Sequence, residues 1–286
     1  MGQSIDGFAA AKGLREKVQQ QVAAFQRAHG FPPGLATVLV GDNAASASYV
    51  RGKRKACGEV GVFSEGIELL KETSQDELLH VVRSLNERDD IHGILVQLPL
   101  PPHIDADVVI DAVDPEKDVD GLHPLNQARL VMGREGLRPC TPLGVMHLID
   151  STGVELKGVR AVVAGRSNLV GKPVAFMLLE RHATLTICHS RTRDLADEIG
   201  RADVLVAAIG RAEMIRGEWV RPGSVVIYVG INRVADGRLV GDVEFATARE
   251  RAAFITPVPR GVGPMTVAML MQNTLTAAQR LVAMRR

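Results

Sequence analysis

Leu14, Val18, Val22 and Phe25 recur at three- and four-residue intervals, which predicts an amphipathic helix over residues 8–29 that ends at Gly30 and Pro32. A buried strand, Leu35 to Val40, follows. Residues 45–60 read as the next helix and Gly66 to Leu70 as a weaker strand. Ser74-Gln75-Asp76-Glu77 is a capping box that opens a helix reaching Glu87. A third β run, Ile91 to Leu98, stops at Pro99-Leu100-Pro101-Pro102, where backbone donors are missing and φ is fixed. Helices alternating with short β runs imply parallel βαβ packing.

The alternation resumes near Thr141-Pro142, which reads as an N-cap followed by proline at the first helical position. Strand Val159 to Ala164 leads through the turn Gly165 to Gly171 into a helix running to Glu180. Further strands are expected at Ala183 to Cys188, Val204 to Ile209 and Val225 to Val229. Asp236-Gly237 marks a hairpin over Ile231 to Val240, whose exposed arms are suited to pairing with another subunit. Pro264 opens a final helix that extends through Arg285. No solenoid repeat and no low-complexity linker interrupts the chain, so the expected architecture is two α/β domains flanking a cleft, the second Rossmann-like.

Composition narrows the class. A chain of 286 residues fits two modest domains of ordinary size. Lys+Arg 34 against Asp+Glu 33 leaves a net charge of +1, which supplies no global field for a polyanion, and an aromatic content of 3% argues against base-stacking platforms; no nucleic-acid partner is expected. No segment approaches the roughly 20 apolar residues of a membrane span. Cys57, Cys140 and Cys188 are scattered and odd in number, Asp6 comes early, and no basic-then-apolar leader is seen. The expectation is a cytoplasmic chain with reduced thiols. The eight histidines show no paired-ligand spacing, so no metal is expected.

Four segments carry candidate chemistry. The turn Gly165-Arg166-Ser167-Asn168-Leu169-Val170-Gly171 places backbone N–H groups and a positive helix end where a pyrophosphate can sit, and Gly171 permits close helix–strand packing. Ser167 replaces the middle glycine of G-x-G-x-x-G, so a plain βα turn is the competing reading. Where a carboxylate would hold a ribose 2′-hydroxyl the chain has His189-Ser190-Arg191; with Arg166 this favours a 2′-phosphate, hence NADP over NAD. Tyr49 and Lys53 share a helix face. Arg51, Arg54 and Lys55 flank Lys53, and like charges would lower its pKa toward acid–base use, although charge runs of this kind are usually a solvated basic face. Asp118-Val119-Asp120-Gly121 lies beyond the strand that carries Gln97. Either carboxylate could grip a ring edge with two N–H donors, and an Asx turn closed by Gly121 fits the same letters. Residues 256–266, with Pro257, Pro259, Gly261, Gly263 and Pro264, specify a rigid loop of unusual dihedrals.

Taken together, Val40-Gly41-Asp42 with Ser48-Tyr49-Val50 and Lys53, Gly93-Ile94-Leu95-Val96-Gln97-Leu98-Pro99-Leu100-Pro101, Lys117-Asp118-Val119-Asp120-Gly121, Arg138-Pro139-Cys140-Thr141-Pro142, Gly165-Arg166-Ser167 with Val170-Gly171-Lys172-Pro173, Val229-Gly230-Ile231-Asn232-Arg233 and Gly263-Pro264-Met265-Thr266 resemble the methylenetetrahydrofolate dehydrogenase/cyclohydrolases over essentially the whole chain. The resemblance implies oxidation of 5,10-methylenetetrahydrofolate by NADP and hydrolysis of the methenyl product to 10-formyltetrahydrofolate. It implies a folate-binding domain of residues 1–140 plus 265–286, an NADP-binding domain of 141–264, and a homodimer formed through the latter. By the same likeness Lys53 is the main cyclohydrolase residue, Gln97 holds its amine, Tyr49 stacks on the folate and Asp120 accepts from the pterin edge. Gly261, Pro264 and Thr266 border the folate, and Gly165, Arg166, Ser167, Val170, Gly171, Ser190, Arg191 and Ile231 bind the cofactor. A single-activity paralogue and a non-catalytic folate or NADP sensor are the alternatives on the same fold. Two positions depart from the family pattern. Tyr228 stands where an aspartate is usual, and Arg260 replaces a glycine, which places a long cation where it could narrow the pterin cleft or engage the glutamate tail.

Overall fold

In chain order the elements are β1 (Gln3–Ser4), α1 (Gly7–His29), β2 (Gly34–Val40), α2 (Ala44–Val60), β3 (Phe63–Leu69), α3 (Gln75–Glu87), β4 (Gly93–Val96), α4 (Ala106–Ala112), α5 (Pro124–Val131), α6 (Cys140–Asp150), β5 (Arg160–Ala164), α7 (Gly171–Glu180), β6 (Thr184–Cys188), α8 (Leu195–Gly200), β7 (Val204–Ala207), β8 (Val225–Tyr228), β9 (Asn232–Arg233), β10 (Leu239–Val240), α9 (Phe245–Arg251), β11 (Phe254–Ile255) and α10 (Gly263–Met284). The computed structural model describes residues 1–285. The chain divides into two compact units, one of Met1–Ala11 with Thr141–Thr266, the other of Lys12–Cys140 with the chain from Val267 onward.

The second of these holds a three-stranded parallel sheet in the order β3-β2-β4. β2 is central and every one of its residues is buried, which is why it is apolar at nearly every position, Thr37 being the polar exception. The predicted capping box is present at α3: Ser74 accepts from the Glu77 amide while the Glu77 carboxylate accepts from that of Ser74. The helix so anchored buries Leu78, Leu79, Val82 and Leu85 against Ala36, Val38 and Ile94 of the sheet. Each fully buried side chain of this kind contributes about 1.5–3 kcal/mol. Two expected boundaries shift. β3 starts at Phe63 rather than Gly66, because Phe63 to Glu65 pair with Gly34 to Ala36 despite their mixed polarity. β4 pairs only over Gly93–Val96, with single hydrogen bonds from His92 and Gln97 extending the ladder at either end.

The other unit has a six-stranded sheet in the order β1-β11-β8-β7-β5-β6, with every adjacent pair parallel. From β5 the chain steps outward to β6, then crosses back to β7 and continues to β8, so the order reverses between β5 and β7, where open α/β sheets bind ligands. α6 begins at Cys140, so Thr141 lies inside the helix rather than capping it. The hairpin forms as expected, β9 pairing antiparallel with β10 around Gly237 at φ +85°. Among the described residues no helix is long and apolar enough to cross a membrane.

Candidate active site

Helix α2 is fixed at both ends. The Asn43 side chain accepts from the Ser46 amide at 3.0 Å, and Gly61, at φ +81°, closes the C-terminus through its N–H to Cys57. Tyr49 and Lys53 therefore occupy adjacent turns. The Tyr49 ring is 61% exposed and free to meet a ligand, whereas Lys53 is only 9% exposed. The Lys53 ammonium donates to Gln97 Oε1 at 2.9 Å, and Gln97 Nε2 donates to the Leu98 carbonyl at 2.7 Å, so the amide turns its oxygen toward the amine. The charge facing Lys53 is the carboxylate of Asp120. Burial pushes the Asp120 pKa up, against the opposing pull of Lys53 and a hydrogen bond with the Cys140 thiol. The like-charge environment expected around Lys53 is thus corrected. Arg51, Arg54 and Lys55 are exposed, Arg54 pairing with Glu68 at 4.0 Å, and they form the solvated basic face.

The two carboxylates of the Asp118-Val119-Asp120-Gly121 loop separate by function. Asp118 accepts from the amides of Leu122 at 3.1 Å and His123 at 2.8 Å and from Asn126 Nδ2 at 2.9 Å, so it closes a turn with Gly121 at φ +70°. Its burial raises its pKa to about 6 despite these bonds. Asp120 accepts none of these turn bonds. Asn273 of α10, which the sequence reading missed, staples this loop by donating to the carbonyls of Val119 and Arg138, both at 2.8 Å. Its side chain is buried and its partners lie more than a hundred residues away, so no local pattern marks it.

In the sheet with the strand reversal, Gly165 follows β5 at φ +133°, and a Cβ there would lie 2.2 Å from the Ala208 carbonyl oxygen. A Cβ on Gly171 would meet the Gly165 carbonyl at 2.3 Å, which bears out the close packing expected of that position. Ser167 uses the room a glycine would leave open. Its hydroxyl accepts from the amides of Val170 at 3.2 Å and Gly171 at 3.3 Å. Those two amides are therefore engaged by the turn's own serine, and the turn presents Gly165, Arg166 and Ser167 to a cavity of about 280 Å³. Cys188, His189, Ser190 and Ile209 are among the residues of its remaining wall, and Arg191 is exposed just beyond Ser190. Ile231, 49% exposed, opens the hairpin, and a Cβ on Gly263 would lie 3.7 Å from its Cδ1. In the 256–266 segment Gly261 is buried, and Thr266 Oγ1 lies 2.9 Å from Thr141 Oγ1. Pro264 stands in the first turn of α10.

The two departures resolve structurally. Tyr228 is 1% exposed and packs in the core, with its ring against Gly241 and its hydroxyl hydrogen-bonded to the Val258 backbone; burial drives its pKa well up. Arg260 adopts φ +80°, the left-handed conformation that glycine would take there. Its guanidinium pairs with Asp6 at 3.2 Å and lies 5.6 Å over the Phe8 ring, at the start of α1.

Comparison with known proteins agrees with this geometry. Residues 5–120 match the catalytic-domain model of tetrahydrofolate dehydrogenase/cyclohydrolase, and residues 139–282 match its NAD(P)-binding domain. The bifunctional protein FolD of Pelobacter propionicus is 58% identical over 280 residues, covering 98% of this chain and 99% of that protein. The crystal structure of the bifunctional enzyme FolD, a methylenetetrahydrofolate dehydrogenase/cyclohydrolase, from Campylobacter jejuni superposes with a TM-score of 0.95 at 44% identity, covering 98% of this chain and 100% of that one. The enzyme from Trypanosoma brucei, solved in complex with NADP cofactor and inhibitor, gives 0.93 at 44% identity, with 98% of each chain covered. Side-chain chemistry, sheet order and sequence identity over nearly its whole length therefore agree that this chain belongs to the tetrahydrofolate dehydrogenase/cyclohydrolase family.

Proposed function

We infer that the chain is bifunctional. It oxidises 5,10-methylenetetrahydrofolate to 5,10-methenyltetrahydrofolate with NADP⁺ and hydrolyses that cation to 10-formyltetrahydrofolate. The observation that carries the reading is the buried Lys53 amine, 2.9 Å from Gln97 Oε1 and facing the Asp120 carboxylate. Water adds to the methenyl carbon and loses one proton. A second proton then leaves the resulting hydroxyl and reaches the departing ring nitrogen as the C–N bond breaks. In this reading Lys53 takes the first and passes on the second, and its bond to Gln97 supports a fixed direction for its lone pair or proton. Asp120, an acceptor-only group when ionised, suits the two N–H donors of the pterin's amino-pyrimidine edge. Tyr49 offers an exposed ring for stacking on the folate, and Gly261, Pro264 and Thr266 are proposed to border it.

The residues at the strand reversal fit a dinucleotide. The place a Cβ would occupy on Gly165 is needed by the Ala208 carbonyl, so the turn stays bare beside the cavity, while Arg166, Ser190 and Arg191 supply a cation-rich rim suited to a 2′-phosphate. When bound, NADP⁺ supplies the nicotinamide carbon that accepts the hydride. Val170, Gly171 and Ile231 are proposed to complete the cofactor site. We further propose that two copies associate through this unit, with the hairpin's exposed Ile231 and Leu239 and its two-residue strands offering an edge for pairing. A cytoplasmic setting suits three buried, unbridged thiols. The test is a pair of assays on the purified protein: NADPH formation from methylenetetrahydrofolate, then loss of methenyltetrahydrofolate supplied alone. Both proceed if the reading is right; activity in one alone would mark a single-activity enzyme, and in neither a sensor.

A further inference from the structure

We propose that Asp242 is a positioning residue for the cofactor, a buried carboxylate that holds the loops after β7 and β8 in register with the glycine turn. The inference rests on the reading that this cavity takes NADP. Asp242 is fully buried. Its Oδ2 accepts from the amides of Ile209 at 2.9 Å and Gly230 at 3.2 Å, and its Oδ1 from the Arg211 amide at 3.0 Å, with Asn232 Nδ2 at 3.4 Å. Three amides from two loops and one side chain from β9 thus converge on one carboxylate. A buried carboxylate met by several N–H groups holds its loops through charge-assisted bonds, and each donor left unpaired is costly.

Both loops belong to the cofactor site. Ile209 and Arg211 line the cavity, and Gly230 precedes Ile231. The first loop also touches the turn directly, because the Ala208 amide donates to the Ala164 carbonyl at 2.7 Å and the Ala208 carbonyl occupies the space beside Gly165. A shift at 209–211 would therefore be felt at the turn. The carboxylate is itself held in place. The Gly241 carbonyl accepts from Glu213 and the Asp242 carbonyl from Ile215, both at 2.9 Å, and a Cβ on Gly230 would lie 2.1 Å from Asp242 Oδ1. Gly230 is bare because the carboxylate fills its side-chain space.

Asp242→Asn keeps the shape but replaces one acceptor oxygen with a donor, so whichever way the amide turns, it faces at least one backbone N–H. The experiment measures NADP⁺ affinity by calorimetry without folate, cyclohydrolase rate on methenyltetrahydrofolate, and the melting curve. The expected result is a dissociation constant for NADP⁺ raised at least tenfold, with the cyclohydrolase rate within twofold of the parent, since Lys53, Gln97 and Asp120 belong to the other unit. Unchanged NADP⁺ affinity would overturn the proposal. So would loss of the cyclohydrolase together with cooperative melting, which would make Asp242 a residue of the whole fold. Gly230→Ala provides an independent reading, because it keeps the carboxylate but forces it aside; the same selective loss is expected, and unchanged affinity would again overturn the proposal. A parent protein that binds no NADP⁺ would strike the functional reading itself rather than the role of Asp242.

Discussion

Around Lys53 the proposed working parts are side chains, an amine, an amide and a carboxylate brought from α2, the end of β4 and the loop beyond it. At the turn after β5 the working parts are main-chain positions, and the decisive residues are those where a side chain cannot be accommodated. The two regions consequently respond to substitution in opposite ways. At the first, a change of functional group removes chemistry and leaves the backbone where it was. At the second, a single added methyl group leaves the chemistry unaltered and moves the backbone.

The sharpest break of this contrast is Lys53→Ala. It is expected to lower cyclohydrolase turnover by about 10³-fold, within the range of a lost general acid–base group, while NADP⁺ affinity measured by calorimetry stays at the parent value. A parallel loss of NADP⁺ binding would end the assignment of separate materials to the two regions. Gly165→Ala is the converse test. With φ at +133° and the Ala208 oxygen 2.2 Å from the new Cβ, the turn must shift at a cost of about 2–3 kcal/mol. The expected outcome is an NADP⁺ KM raised roughly 30- to 150-fold with the cyclohydrolase rate retained, readable from the two assays side by side.

Asp118 sharpens the comparison within the first region, since it is a carboxylate withdrawn from chemistry to serve the backbone. Its pKa is raised from 3.8 to about 6 in the folded chain. The folded state therefore binds the proton more tightly, so the stability linked to this group is fully present below pH 3.8 and is lost as pH rises through about 6. Urea midpoints from pH 4 to 7 should show that slope, about 2 kcal/mol in total, removed in Asp118→Asn relative to the parent. The smallest effect is expected at Arg260. Restoring glycine relieves a left-handed non-glycine residue, worth about 1 kcal/mol, and forfeits an exposed ion pair and ring contact of similar size. Arg260→Gly should leave the melting temperature and both KM values nearly unchanged; a folate KM altered well beyond that for NADP⁺ would show the cation acting on substrate.

What could be read from the letters followed from how local each signal was. The helices α1, α2 and α3 declare themselves by periodicity and caps, and Gly165 to Gly171 by spacing, because the reasons for those residues lie within a few positions. β1 and β11 escaped because each has two residues and finds its partner across the length of the chain. The short helices α4, α5, α8 and α9 present too few turns to establish a period. Asn273 and Asp242 look like any polar residue, and only the fold brings their donors and acceptors together. At Lys53 the residue was legible and its electrostatic setting was not, since the flanking cations are visible in sequence while Asp120 arrives from 67 positions away. At Asp118 and Asp120 both readings, ligand and turn, were open, and the structure gives the turn to Asp118.

The bond from Asn273 to Val119 spans 154 residues, and the interval between them contains five of the six strands of the nucleotide-binding sheet, all but β1. During synthesis at about 5–20 residues per second, the segment with Asp120 must wait roughly 8–30 s for its last anchor to be made. Through that time the nascent chain carries Lys53 and Gln97 without the α10 clamp on the loop that faces them. The loop that carries Asp120 is thereby clamped only once translation has reached α10, after the strands between Val119 and Asn273 have been produced.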